Sequence, residues 1–160
     1  KEAIGIHEVI FDDSNKKDEA WYINTNQSYA FANDTVTATY GIATPKAHAD
    51  TNATEADGVE LDPVVVIPGL KTKLIKNLKI TVANELAKTD WYITRNTEKT
   101  TAIPSSISTH RDNVRTKQAS IEAQITGASD TAALETLHTY TTDANGVQSR
   151  PLGELPTLEI

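Results

Sequence analysis

An α+β fold with strands first and helices after is what this sequence predicts, and two changes of period carry the prediction. Val36, Ala38, Tyr40 and Ile42 alternate with Thr35, Thr37, Thr39 and Gly41, the period of two expected of a strand with one apolar face. From Leu70 the period lengthens, and Leu70, Leu74, Ile75, Leu78, Val82 and Leu86 form one stripe at helical spacing. A third observation is the apolar, extended character of the last ten residues, Pro151 to Ile160. Together these predict an N-terminal antiparallel β-meander lobe over residues 1–69, a helical lobe over 70–139 and an extended C-terminal tail over 140–160.

Within the first lobe, Ile4, Ile6, Val9, Ile10 and Phe11 make an apolar strand that runs into the polar turn Asp12-Asp13-Ser14-Asn15-Lys16-Lys17-Asp18. Ala20-Trp21-Tyr22-Ile23 and Ser28-Tyr29-Ala30-Phe31 are further strands, and the short links between them argue antiparallel neighbours. Residues 43–62 hold Pro45, Gly58 and five acidic side chains with little hydrophobicity, which predicts a mobile acidic loop. Val64 to Ile67 adds one more strand before Pro68-Gly69.

The stripe from Leu70 predicts a helix of about 18 residues, with Lys71, Lys73, Lys76 and Lys79 off the apolar face. Asp90 to Arg95 breaks that pattern and reads as extended. Pro104 suits the start of a second helix, from Ser105 to about Ile125, because a first-turn N–H has no partner to lose. Its stripe is thin: Ile107, Val114 and Ile121 recur every seven residues, beside Ile125, which suggests packing on a neighbouring helix. Ser129 or Asp130 can cap a short third helix through Leu134 and Leu137, and Asp143-Ala144-Asn145-Gly146 is a turn. Leu152, Leu155 and Leu158, held between Pro151 and Pro156, predict a tail that docks, on its own lobe or on another subunit, with the second favoured.

Charge is distributed unevenly. Residues 1–69 carry 4 Lys/Arg against 12 Asp/Glu, residues 70–126 carry 10 against 5, and residues 127–160 carry 1 against 5, within a net charge of -7. An acidic lobe beside a modest, acid-interleaved basic zone argues against nucleic acid as a partner. Two readings stay open: a solvated lysine face, or acidic and basic surfaces that meet within the chain or between copies. No apolar run approaches the roughly 20 residues that span a bilayer, so no membrane partner is expected. The 160 residues contain no Cys, which excludes disulfides, thiolate nucleophiles and Cys-ligated zinc. The chain opens on Lys1 without Met or a leader pattern, and the sequons at Asn26, Asn33 and Asn52 are what an Asn- and Thr-rich chain contains by chance.

Chemistry-bearing constellations are not found. Among His7, His48, His110 and His138 no two stand three or four residues apart, so the histidines form no helical zinc pair. The run from Asp12 to Asp18 lacks the mid-loop Gly of a calcium loop and places two lysines among the carboxylates, so a solvated hairpin turn is expected there. There is no Gly-rich phosphate loop and no nucleophile elbow. The sequence therefore predicts neither a catalytic site, a cofactor, a metal nor a small-molecule substrate.

One segment carries more. Thr89-Asp90-Trp91-Tyr92-Ile93-Thr94-Arg95 is followed by Thr97-Glu98-Lys99, Ala102-Ile103-Pro104, His110-Arg111 and Val114-Arg115. This resembles a module of tailed-bacteriophage proteins in which a lysine-rich helix runs into a TDWYxxR stretch, a short polar turn, an IP dipeptide and a helix carrying YR…R. Segments of phage tail-fibre assembly proteins and of tail- and fibre-associated virion proteins are similar to it. Here His110 stands in place of the Tyr, and no glycine follows Glu98. Arg150-Pro151-Leu152-Gly153-Glu154 resembles the ends of structural proteins from marine T4-like phages.

The resemblance covers residues 70–115 and the tail. It implies a non-enzymatic structural component of a tailed-phage virion, tail- or fibre-associated and assembled in the bacterial cytoplasm, whose partners are copies of itself and other virion proteins. A fibre-assembly chaperone missing from the mature virion is the second implication, and a small enzyme the third. Physically, Asp90, Trp91, Tyr92, Arg95, Ile103, Pro104, Arg111 and Arg115 read either as a clasp between the two helices or as a partner-binding surface. As a clasp, Trp91 is expected to be buried near Ile103 with Tyr92 pointing away, and Trp91→Ala to cost about 3–5 kcal/mol.

Overall fold

The computed structural model describes residues 8–25 and 27–158. The expectations placed on Lys1, Ile4, Ile6, His7, Asn26, Glu159 and Ile160 lie outside them. The fold is α+β, with strands leading and helices following. The chain divides into two compact units, Lys1–Lys46 and Ala47–Ile160, so the boundary falls well before the expected one at residue 69.

In the first unit, β1 (Glu8–Asp12), β3 (Ser28–Ala32) and β4 (Thr35–Thr39) form one sheet in the order β1-β4-β3. β3 and β4 are an antiparallel hairpin closed by Asn33 and Asp34, both in the left-handed region (φ 52 and 59), as a two-residue turn between twisted strands requires. β1, however, lies parallel to β4, which corrects the all-antiparallel meander. The polar run from Asp12 to Asp18 is accordingly not a hairpin turn. Reciprocal bonds between Asn24 and the Lys17 backbone (2.9 and 3.0 Å) close it, and Asn15 Nδ2 donates to the Tyr40 carbonyl at 3.0 Å. Behind that loop β2 (Tyr22–Ile23) pairs with β5 (Thr44–Pro45), where Trp21, Tyr22 and Ala43 are buried.

Within the second unit, residues 47–69 prove to be a ribbon, not an irregular loop. β6 (Thr51–Asn52) pairs antiparallel with β7 (Val66–Ile67), and Thr54 bridges Glu60 around a turn at Asp57-Gly58. The ribbon belongs with the helices because it caps the first of them. The Ala47 and His48 carbonyls accept from the N–H groups of Leu70 and Lys71 at 2.9 and 3.0 Å, and Asp50 Oδ1 accepts from Gly69 at 2.8 Å. Gly69 is obligatory in this contact, since a Cβ there would run into the Ala49 carbonyl.

Four helices follow: α1 (Leu70–Ala87), α2 (Asp90–Lys99), α3 (Ser105–Gly127) and α4 (Thr131–His138). α1 and α3 run antiparallel. Lys71 Nζ reaches the Thr126 carbonyl (2.8 Å) at one end, and Arg111 reaches the Leu86 carbonyl (2.8 Å) at the other. The seven-residue stripe of α3 is buried as Ile107, Val114, Ile121 and Ile125, and the gaps between them are filled by His110 and Arg111, both also buried. Asp130 caps α4 by accepting from Ala133 N–H at 2.8 Å. β8 (Thr141–Thr142) and β9 (Gln148–Ser149) then form a hairpin on the expected turn, with Gly146 at φ 81.

α2 is the main helical surprise. The stretch Trp91-Tyr92-Ile93-Thr94 favours extended backbone by propensity, yet it is helical. Asp90 in its first turn and Lys99 in its last suit the helix dipole, while Thr94 and Thr97 turn their hydroxyls back to the Asp90 and Ile93 carbonyls. Thr100 ends the helix in the left-handed region (φ 53), and Pro104 flanks the start of α3 as expected from its lack of N–H.

Candidate interaction surfaces

Three places in the molecule gather side chains in a way that could serve recognition. The first is the corner between α1 and α2, where the phage-like motif falls. Arg111 projects from α3 with its side chain 10% exposed, and one guanidinium nitrogen faces Asp90 Oδ1 (2.8 Å), Thr89 Oγ1 (2.7 Å) and the Leu86 carbonyl (2.8 Å). Three acceptors from the end of α1 and the start of α2 thus converge on one buried cation, which fixes the angle between the helices. The clasp is therefore made by Asp90 and Arg111.

Trp91 takes no part in that closure. It is 52% exposed, which corrects the expectation of a buried junction residue and removes the basis for a 3–5 kcal/mol loss on truncation. Because residues 90–99 are helical, Tyr92 does not point to the opposite side. Its ring lies 3.9 Å from that of Trp91, and the Arg95 guanidinium sits 5.8 Å from the Trp91 ring. Ile103 is partly buried, and Arg115 makes only an exposed ion pair with Asp112 at 3.4 Å. The motif accordingly splits into a structural half (Asp90, Arg111, Pro104) and an outward half (Trp91, Arg95), with Tyr92 half-buried beside Trp91.

Next to the clasp lies a pair that the sequence gives no sign of. His110 Nε2 and Glu85 Oε1 are 3.3 Å apart with both side chains largely buried, and Lys88 bonds the other Glu85 oxygen. The Lys88 hydrogen bond and charge, with His110 adding to them, hold the Glu85 carboxyl below the ordinary carboxylate range against the opposing push of burial. Only the fold brings residues 85 and 110 together.

The second place is the groove between α1 and α3, which the tail occupies. Leu74, Leu78, Ile121 and Ile125 line a cavity of about 450 Å³ together with Leu152 and Leu155, and further along α3 Pro156 and Leu158 lie beside Ser105, Thr109 and His110. Leu152 is 4% exposed, and Leu155 and Leu158 are partly buried. For Leu152 the favoured expectation of burial on another subunit is corrected, because the chain's own helices cover it.

A latch holds the start of the tail. Arg150 pairs through Nε and Nη2 with the two Glu154 oxygens (2.7 and 2.8 Å), Tyr140 donates its hydroxyl to Glu154, and Leu152 N–H bonds the Leu137 carbonyl at 3.1 Å. Burial pushes Glu154 up, but its bonds from Tyr140 and Arg150 and the Arg150 and Lys117 charges hold it low overall. The same bond to Glu154 raises the Tyr140 hydroxyl. Gly153 makes the reversal that this latch needs, at φ +69.

The third place is the sheet of the first unit. Its registers set Val9, Val36 and Phe31 side by side, then Phe11, Ala38 and Tyr29, so six apolar side chains share one face. Ala38 in the middle is fully buried, but Val9, Phe11, Tyr29 and Phe31 are 43%, 61%, 66% and 60% exposed. The expected burial of the Val36–Ile42 face holds only for Ala38; Val36 and Tyr40 are partly buried and Ile42 is 86% exposed. Period-two spacing of Val9 with Phe11 and of Tyr29 with Phe31 was the signal for this face, and the register needed to join them was not in it.

Among the described residues no three His, Cys, Asp or Glu side chains are grouped to hold a metal, and no helix is long and apolar enough to cross a membrane. No family model matches the chain, and no curated protein or solved structure matches it.

Proposed function

We propose that the chain is a non-enzymatic structural component of a tailed-phage virion, tail- or fibre-associated, that acts through protein–protein assembly. Support for the virion setting is the resemblance of residues 70–115 and 150–154 to phage tail and fibre proteins. Support for assembly is one observation above the others: an uncharged, aromatic sheet face left largely exposed on a small unit. The cluster of exposed Trp91 and Arg95 with half-buried Tyr92 is a second surface of the composition that interfaces favour.

Quantitative mass spectrometry of purified phage particles that encode this chain tests the reading. A fixed copy number per particle is expected. Absence from particles, with presence in the infected-cell lysate, would overturn it in favour of an assembly chaperone.

A further inference from the structure

We infer that α1 and the ribbon of residues 47–69 are the two halves of one joint, the ribbon of each copy lying on the outward side of α1 in another copy. The inference deepens the assembly reading and rests on it for the premise that copies meet.

The helix half is basic. Leu74, Leu78 and Val82 turn one side of α1 inward, and on the other side Thr72, Ile75, Lys76, Lys79, Ile80 and Ala83 line a hollow in which Ile80 is 52% exposed. Lys73, Lys76 and Lys79 follow one another at three-residue intervals, and among the described residues none of them has an ion pair or a side-chain hydrogen bond. Neighbouring like charges repel on a helix, and the first turn, with Lys71 and Lys73, carries no acidic side chain to suit its dipole. Facing carboxylates would relieve both penalties.

The ribbon half is acidic. Residues 47–69 hold Asp50, Glu55, Asp57, Glu60 and Asp62 and no Lys or Arg. Asp50 is committed to the Gly69 N–H, but Glu55, Asp57, Glu60 and Asp62 are exposed and, among the described residues, make no ion pair. Beside them Val59, Val64, Val65, Val66 and Ile67 are 49–60% exposed. Each half thus sets unpaired charge around apolar surface, and the two signs are opposite. That complementarity steers two proteins together and fixes their register.

Both halves belong to one unit, and their exposures show that they do not cover one another within a copy. Every copy therefore presents both, so the joint closes reciprocally in a dimer or head to tail in a ring. Nucleic acid would be drawn to the lysines but repelled by the ribbon seated beside them.

The test is sedimentation velocity of the full chain over a concentration series. Wild type is expected to associate reversibly, and raising NaCl from about 50 to about 500 mM to weaken association at least about tenfold. Lys76→Glu with Lys79→Glu spoils the helix half, and Glu55→Lys with Glu60→Lys spoils the ribbon half. The lysines hold no side-chain bond, and Asn52, which donates to Glu60 at 3.0 Å, can turn its amide to accept from a lysine. Each double variant alone is expected to associate at least about tenfold more weakly than wild type. An equimolar mixture is expected to associate again, through the intact ribbon of one variant on the intact helix of the other. A wild type that stays monomeric throughout, a folded double variant that associates like wild type, or a mixture of folded variants that stays monomeric overturns the inference. Should circular dichroism show that either variant has lost its helices, the salt series on wild type decides: weakening with NaCl supports the joint, and association indifferent to NaCl overturns it. Particle mass spectrometry is independent of all these outcomes, so a chain found in virions yet monomeric by this test would refute the joint and leave the virion reading standing.

Discussion

In the helical unit Val114, Ile121, Ile125 and Leu134 are at most 3% exposed, whereas in the sheet unit Phe11, Tyr29 and Phe31 are at least 60% exposed. Both units are built from a lean apolar supply, so the difference lies in geometry. α3 is a 23-residue rod that α1, α4 and the tail can each approach from a different side. A few well-placed aliphatic residues then suffice to fill the shared centre. The three-stranded sheet has two broad faces, and among the described residues its unit holds no helix. Its larger aromatic side chains, Phe11, Tyr29 and Phe31, keep most of their surface exposed. The comparison teaches that apolar content does not decide which region is closed; the number of elements available to cover each face does.

Paired substitutions break or sharpen that contrast most strongly. Ile125→Ala is expected to destabilise the helical unit by about 2–5 kcal/mol, because Ile125 is 1% exposed and the site is enclosed by rigid helices. Phe11→Ala, although it removes a larger side chain, is expected to change the stability of the dilute chain by less than about 0.5 kcal/mol. Urea unfolding checks the first through the helical signal, which among the described residues arises from α1 to α4, and the second through Trp21 emission. Equal losses at the two positions would erase the distinction between closed and open regions.

Removing the cover from the closed unit is the next largest effect. Truncation after Arg150 strips Leu152 from the α1/α3 groove and exposes Leu74, Leu78, Ile121 and Ile125. The helical midpoint is expected to fall by an amount equivalent to about 1.5–3 kcal/mol, the value of burying one leucine, with the ordering entropy of the released residues opposing any larger loss. An unchanged midpoint would mean that the helices are closed without the tail.

The smallest effect is electrostatic and confined to the helical unit. Glu85 is held below the ordinary carboxylate range in the folded chain by Lys88 and then His110, so the unfolded chain binds its proton at a higher pH than the folded one does. Its contribution is therefore complete above the ordinary glutamate range and is lost as the pH falls through the lowered folded value. Glu85→Gln is expected to flatten the fall of the helical urea midpoint on acidification, while leaving the response of Trp21 unaltered. A variant with the wild-type acid profile would show that the buried pair contributes nothing to stability.

Much of this layout was legible in the sequence. The 3.6-residue stripe of Leu70 to Leu86 reads as α1, Pro104 marks the start of α3, and the Asp130 cap and the Asp143-Ala144-Asn145-Gly146 turn are written in residues whose side chains or φ preferences act locally. Local signals act within a few residues, so their reading depends little on the rest of the chain. The extended reading of Trp91 to Arg95 failed because propensity competes there with contacts 21 and 22 residues away, those of Arg111 with Asp90 and Thr89.

Non-local choices lay beyond the sequence for the same reason. Parallel pairing of β1 with β4, the seating of the 47–69 ribbon on the start of α1, and the approach of Glu85 to His110 each join residues separated by 20 or more positions. Which face of an alternating strand is covered depends on what the fold lays over it, and alternation alone is the same for a closed face and an open one. The sequence by itself determined where the locally signalled elements α1, α3 and α4 form and which of their sides is apolar. Tertiary structure alone decided which apolar sides are shut, because burial requires a second surface and its position is set by the path of the whole chain.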